Sequence, residues 1–163
     1  MPLRARLVSG AHYGLISAVA GIIAYIPTRA LGLNEGFWSA ITAIGVVQAE
    51  FRATQTTARD QLLGAGIGGL AALATLVVFG QHLAVYAAAV VVTMMVCWAL
   101  NMASASRLAG VTATIILLVP HSSSAGGMFL SRVTEVGWGV LVAVSVVWLA
   151  ARLPARWWPP PST

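Results

Sequence analysis

No residue between Asp60 and Arg107 carries a formal charge, an unbroken run of 46 residues from Gln61 to Ser106. A helix that meets water needs a polar face, so so long and apolar a run must be solvated by lipid or protein. It exceeds one helical bilayer crossing of about 20 residues, and Gly80-Gln81-His82 divides it. Shorter uncharged stretches lie on either side: 22 residues over Leu7–Thr28, 14 over Gly36–Ala49, 24 over Leu108–Ser131 and 16 over Val136–Ala151. Pro120-His121-Ser122-Ser123-Ser124 interrupts the third of these, and Met128-Phe129-Leu130 starts the last helix before its charges. Apolar residues make up 59% of the chain and charged ones 8%, against roughly 25% charged in a soluble domain. These proportions exclude a soluble globule and predict an all-α integral membrane protein.

A transmembrane β-barrel would need segments of about ten residues alternating with period two. Runs such as Leu70-Ala71-Ala72-Leu73-Ala74-Thr75-Leu76-Val77-Val78 do not alternate. The expectation is six transmembrane helices at about 8–28, 36–50, 60–80, 83–102, 105–120 and 128–152. Residues 1–7 form a cytoplasmic N-terminus and 153–163 a cytoplasmic tail around the membrane domain 8–152. Arg4 and Arg6 before the first apolar stretch resemble a secretory signal, but five further spans follow, and the segment reads as a retained first helix. With six spans, one side holds Arg4, Arg6, Arg52, Arg59, Arg107, Arg152 and Arg156, and the other only Arg29 and Arg132. The positive-inside rule then puts both termini in the cytoplasm of a cell-membrane protein.

The two halves align weakly. A shift of 73 places Tyr13 on Tyr86, Tyr25 on Trp98, and Arg59, Gly64 and Gly66 on Arg132, Gly137 and Gly139. A shift of 70 places Ile41-Thr42-Ala43 on Val111-Thr112-Ala113. The expectation is two three-helix repeats, about 8–80 and 83–152, of inverted topology, because three is odd. In inverted-repeat transporters, short or interrupted helices at matching places point to the substrate site. The second helix's 14 uncharged residues rise only about 21 Å, and the fifth helix ends at Pro120-His121.

Several function classes are set aside. A single cysteine, Cys97, excludes a disulfide framework and a Cys-based metal site. His12, His82 and His121 lack metal-ligand spacing, so no metal or other cofactor is expected. The nine arginines are scattered without a basic stripe, which argues against nucleic acid. Neither a phosphate-binding loop nor a nucleophile–base pair is visible, so the chain reads as neither an ATP-driven pump nor an enzyme.

The stretch Phe37-Trp38-Ser39-Ala40-Ile41-Thr42-Ala43-Ile44-Gly45-Val46-Val47-Gln48, with Ala53-Thr54, Gly64 and Gly68, resembles the fusaric acid resistance and aromatic acid exporter-like family. Plant aluminium-activated malate channels are more distantly similar. Arg132, Glu135 and Gly139 are similar to that family's later motif, and the resemblance spans roughly residues 10–153. The chain departs from it at Ala49-Glu50, where members usually carry Pro, and at Gln61, where they often carry a base. The resemblance implies efflux or conduction of organic, often aromatic, carboxylates.

An anion leaving water needs fixed positive charge or oriented donors, and charged groups inside spans usually face a cavity. Arg59 and Arg132, at opposite ends of equivalent helices, are candidates for the mouths of one pathway; the alternatives are snorkelling and local pairing of Arg132 with Glu135. Arg52 is a further pathway candidate. Glu50, if desolvated, is placed to couple protons to export, the alternative being a solvated loop carboxylate beside Arg52. Trp38 and Thr42, four apart on one face, and Gln48 are candidates for lining a path for a flat carboxylate, with an interfacial role for Trp38 as the alternative. Asn101 reads as a hydrogen-bonding bridge between helices. Trp148, Trp157 and Trp158 with Arg152 and Arg156 read as an interfacial anchor before a disordered Pro-rich tail. Gly64, Gly66, Gly68 and Gly69 make a small helix face, for packing inside a subunit or in a homo-oligomer, with a dimer favoured. A non-conducting scaffold or partner subunit of a larger transport assembly is the competing function.

Overall fold

The computed structural model describes residues 2–31, 36–119 and 125–153. Among them are six helices and no strand: α1 (Leu3–Ala30), α2 (Phe37–Val46), α3 (Phe51–Phe79), α4 (Leu83–Ala99), α5 (Ala103–Leu118) and α6 (Ala125–Ala151). Leu3–Ala30, Phe51–Phe79 and Gly126–Ala151 are long and apolar enough to cross a membrane, and α2, α4 and α5 are shorter apolar helices. The all-helical membrane architecture agrees with the sequence. The Pro120-His121 break, Trp157, Trp158, Arg156 and the Pro-rich tail lie outside the described residues.

Three boundaries differ from expectation, the first because α1 begins at Leu3 rather than near residue 8. α2 stops at Val46 rather than near residue 50, and α3 begins at Phe51 rather than near residue 60. The polar stretch Arg52–Arg59, which charge spacing assigned to a connection, is helical. Charges mark where an apolar run ends, whereas a helix ends where its backbone bonding ends, and Ala, Arg and Gln all favour continued helix.

The chain divides into two compact units, Met1–Ala58 with Gly137–Thr163, and Arg59–Val136. Alanine and glycine build the first, because small side chains let helix backbones approach. Ala20 and Ala24 of α1, Ala43 and Val46 of α2, and Ala143 and Val147 of α6 are fully buried. Gly21 sits against Ile44, and the Trp138 indole N–H donates to the Ala24 carbonyl at 3.1 Å. At Gly139 a Cβ would come 2.5 Å from the Ser39 carbonyl oxygen and 2.8 Å from Thr42 Cβ, so α6 crosses α2 there at backbone distance.

In the second unit, Ala72, Ala89, Ala113, Ile116, Leu117 and Met128 form the core, flanked by Leu76 and Tyr86. Gly68 meets the backbone of Ala109, and a Cβ on Gly64 would lie 2.6 Å from Leu108 Cβ. A Cβ on Gly69 would press on the Phe129 ring at 2.6 Å, while one on Gly66 would meet nothing within 4 Å. Two residues beyond the end of α4, Asn101 has a left-handed φ of 58°. Its N–H donates to the Trp98 carbonyl and the Met102 N–H to the Cys97 carbonyl, the paired bonds of a Schellman cap. Asn101 thus closes a helix, a turn role that the helix-bridging expectation did not foresee.

Candidate functional site

α2 has ten residues and rises only about 15 Å, half of a hydrocarbon core of about 30 Å. Its end therefore needs partners for backbone groups that no helix satisfies, since such groups are costly to leave unbonded in lipid. The structure supplies them from side chains. The Tyr13 hydroxyl of α1 donates to the Val47 carbonyl at 2.8 Å. The Thr54 hydroxyl of α3 accepts from the Gln48 N–H at 3.1 Å and donates to the Glu50 carbonyl at 3.0 Å. Val47 and Thr54 are completely buried, so the break Val47–Glu50 is a bonded, fixed piece of backbone.

The sequence candidates of the first unit distribute around this break. Gln48 is half-buried, whereas Glu50 and Arg52 are exposed. Thr42 is buried against α6 at Gly139. Trp38, half-buried at the start of α2, has its ring 5.0 Å from that of Phe37. At the far end of α6, Arg152 lies over the Trp148 ring at 4.1 Å, a cation–π contact suited to an interface.

In the second unit Arg59 is exposed on α3. Arg132 and Glu135 of α6 are each only 2% exposed. Arg132 Nη2 lies 2.8 Å from Glu135 Oε2, and the Ser131 hydroxyl donates to Glu135 Oε1 at 3.1 Å. Spacings of three and four bring all three groups onto one helical turn. The guanidinium is permanently charged, and burying it is costly unless it is paired. Glu135 is thus what makes a buried Arg132 tolerable. Arg59 and Arg132, equivalent under the 73-residue shift, therefore have opposite exposure.

The ends of the second helices match in one further respect. The carbonyl of Leu117, equivalent to Val47 under the 70-residue shift, accepts from the Gln81 amide at 2.6 Å. Tyr86, equivalent to Tyr13, holds its hydroxyl 3.2 Å from that of Thr114. Thr114 commits its own proton to the Gly110 carbonyl at 2.8 Å, so the phenol is the donor.

A family model described as fusaric acid resistance protein-like matches residues 10–146. The chain belongs to that family. Comparisons with curated proteins and with solved structures gave no match. The match covers the break after α2 and the Arg132–Glu135 turn of this fusaric acid resistance-like protein, and it supports a membrane transport role. Among its described residues, no group of three or more His, Cys, Asp or Glu side chains is placed to hold a metal.

Sequence reasoning missed Tyr13, Thr54 and Ser131. Tyr13 had been noted only as a repeat partner, and Thr54 only as part of the family stretch. A Thr just after a Gln-Ala-Glu turn was the available signal for the second, because Thr hydroxyls bond neighbouring backbone groups at helix starts. Ser131 stands four residues before Glu135, a spacing legible once the acid is placed on a helix.

Proposed function

We propose that this protein carries organic, including aromatic, carboxylate anions across the cell membrane, in the direction of efflux. The buried Arg132–Glu135 turn is the observation that carries the reading. An intramembrane ionisable residue marks a solute or ion path by default, and a purely structural bundle has no use for one. A solute carboxylate presents the group that Glu135 already offers to Arg132. It can therefore exchange with Glu135 at the guanidinium, replacing one charge-assisted contact by another. Arg52, Arg59 and Gln48 are proposed as approaches to the path, Trp38 and Thr42 as its aromatic and hydroxyl wall, and Glu50 as a proton-coupling carboxylate.

Six spans with both termini cytoplasmic, and assembly as a homo-oligomer, preferentially a dimer, complete the proposal. Three spans per repeat would invert the second relative to the first. Support for the duplication comes from the glycine crossings: Gly68 meets the backbone of Ala109 and Gly139 meets that of Ser39. Ser39 and Ala109 are themselves equivalent under the 70-residue shift.

Flux of aromatic and dicarboxylic acids into liposomes holding the purified protein tests the reading. Arg132→Ala should abolish it, and Arg59→Ala should weaken it. Flux measured against pH in Glu50→Gln tests the coupling role, which an unchanged profile would remove. No flux of any acid through wild type would favour a scaffold or partner subunit.

A further inference from the structure

At the joint between α3 and α4, within the unit Arg59–Val136, a cavity of about 290 Å³ opens beside the end of α5. The local backbone builds it. α3 stops after Phe79, and Gly80 takes a left-handed φ of 70°, which suits a residue without a Cβ. The turn carries Gln81 to the Leu117 carbonyl, where its side-chain amide donates at 2.6 Å and ties the joint to α5. His82 follows in extended conformation as the N-cap of α4. Leu83, Leu117 and Leu118 supply apolar wall, and the half-buried Tyr86 supplies a ring.

Gln81 and His82 line the cavity and are both exposed, so a solute entering it meets them. One N–H of the Gln81 amide is bonded to Leu117, which leaves the second. No hydrogen bond occupies the His82 imidazole among the described residues. The Tyr86 phenol gives its proton to Thr114, so it contributes ring surface and no donor. No lining residue carries a fixed charge, and His82 and Tyr86 are the two that titrate. Imidazole is the side chain that gains positive charge between about pH 8 and pH 5. A cation would find no counter-charge here, and a wholly apolar molecule would cover imidazole and amide without bonding them. A carboxylate accepts from both, and their exposure spares it full desolvation. The volume lies at the small end of ligand pockets. That limits the apolar body to about one ring, flanked by Tyr86 and the leucines.

We propose that this cavity binds a single-ring aromatic carboxylate, its carboxylate on His82 and Gln81 and its ring beside Tyr86, and that a proton on His82 tightens the hold. In the proposed topology the joint between α3 and α4 faces outside, which makes the cavity the place where an exported acid is released. That placing rests on the transport reading. The binding itself rests on the lining residues alone.

NMR of the ring-labelled histidines, on the full chain in phosphatidylcholine nanodiscs, tests it with 4-fluorobenzoate as probe and acetate as control. The His82 signal is the one lost in His82→Gln, a change at an exposed position. Saturating 4-fluorobenzoate should raise the pH at which His82 gains its proton by about 0.5–1 pH unit and leave His12 unmoved. By reciprocity, fluorine NMR should show the probe binding about three- to tenfold tighter near pH 5.5 than near pH 8, the strength of one hydrogen bond to a partly exposed charge. The probe stays ionised throughout, since carboxyls titrate near about 4. In His82→Gln the dependence on pH should vanish. No movement of His82, equal movement of His12, an equal effect of acetate, or pH-dependent binding that survives in His82→Gln would overturn the proposal. Liposome flux separates the two readings: flux without the His82 response removes the cavity alone, and the response without flux keeps the cavity and removes transport.

Discussion

A buried arginine beside a buried glutamate raises the question of whether the pair serves stability or solute movement, and the two roles predict different mutant behaviour. Removing one partner of a buried pair costs about 3–5 kcal/mol, because the other charge is left uncompensated. Glu135→Ala should therefore lower stability by about that amount in a denaturation titration of the purified protein. Arg132→Met combined with Glu135→Leu should recover most of the loss, since apolar replacements of similar volume are often neutral or better. If the pair serves transport, the double variant will be stable and yet carry no flux. Asn101 gives a second single-residue test. Gly suits its left-handed backbone, so Asn101→Gly should be tolerated. Asn101→Val should destabilise by about 1–2 kcal/mol, the cost of a left-handed conformation with a bulky Cβ. Thermal unfolding in detergent would measure both.

Between elements, the glycines divide by what stands opposite them. Gly68 and Gly139 face backbone of the helices they cross, whereas Gly66 faces open space. Gly66→Ala should therefore be neutral, or stabilising by up to about 1 kcal/mol through helix propensity. Gly68→Ala and Gly139→Ala should each cost about 1–3 kcal/mol by overpacking, again read by unfolding. The small-residue face was legible in the sequence because four glycines fall within six residues, 64 to 69. Which of them carry crossings was not, since that depends on helix rotation against α5 and α6. The same division holds elsewhere. Apolar runs and their breaks made six helices legible, but the start of α3 was not, because Thr54 bonding to Gln48 and Glu50 is invisible to a charge count. The charge pair on α6 was legible from its spacing. Its burial was not, since burial depends on neighbours far along the chain.

At the scale of the whole molecule, the proposed topology makes a labelling prediction. Cys97 is the one cysteine and is fully buried, so Cys97→Ala gives a background in which each introduced cysteine reports alone. With six spans, a membrane-impermeant maleimide applied to intact cells should label Leu31→Cys and His82→Cys. Pro2→Cys, Glu50→Cys, Asn101→Cys and Leu153→Cys should react only after permeabilisation. Labelling of Glu50→Cys from outside would show that α2 does not complete a crossing and would reduce the span count. The arginine distribution argues against that result, since Arg52 and Arg59 follow that connection closely.

The helix crossings also bear on how a chain of this kind diverges. Glycine is the smallest residue, so any mutation at Gly68 or Gly139 adds bulk against backbone that has no side chain to move aside. Neutral drift is closed at those two positions. Divergence must then proceed where there is spare room, as at Gly66, where an added methyl group meets nothing within 4 Å.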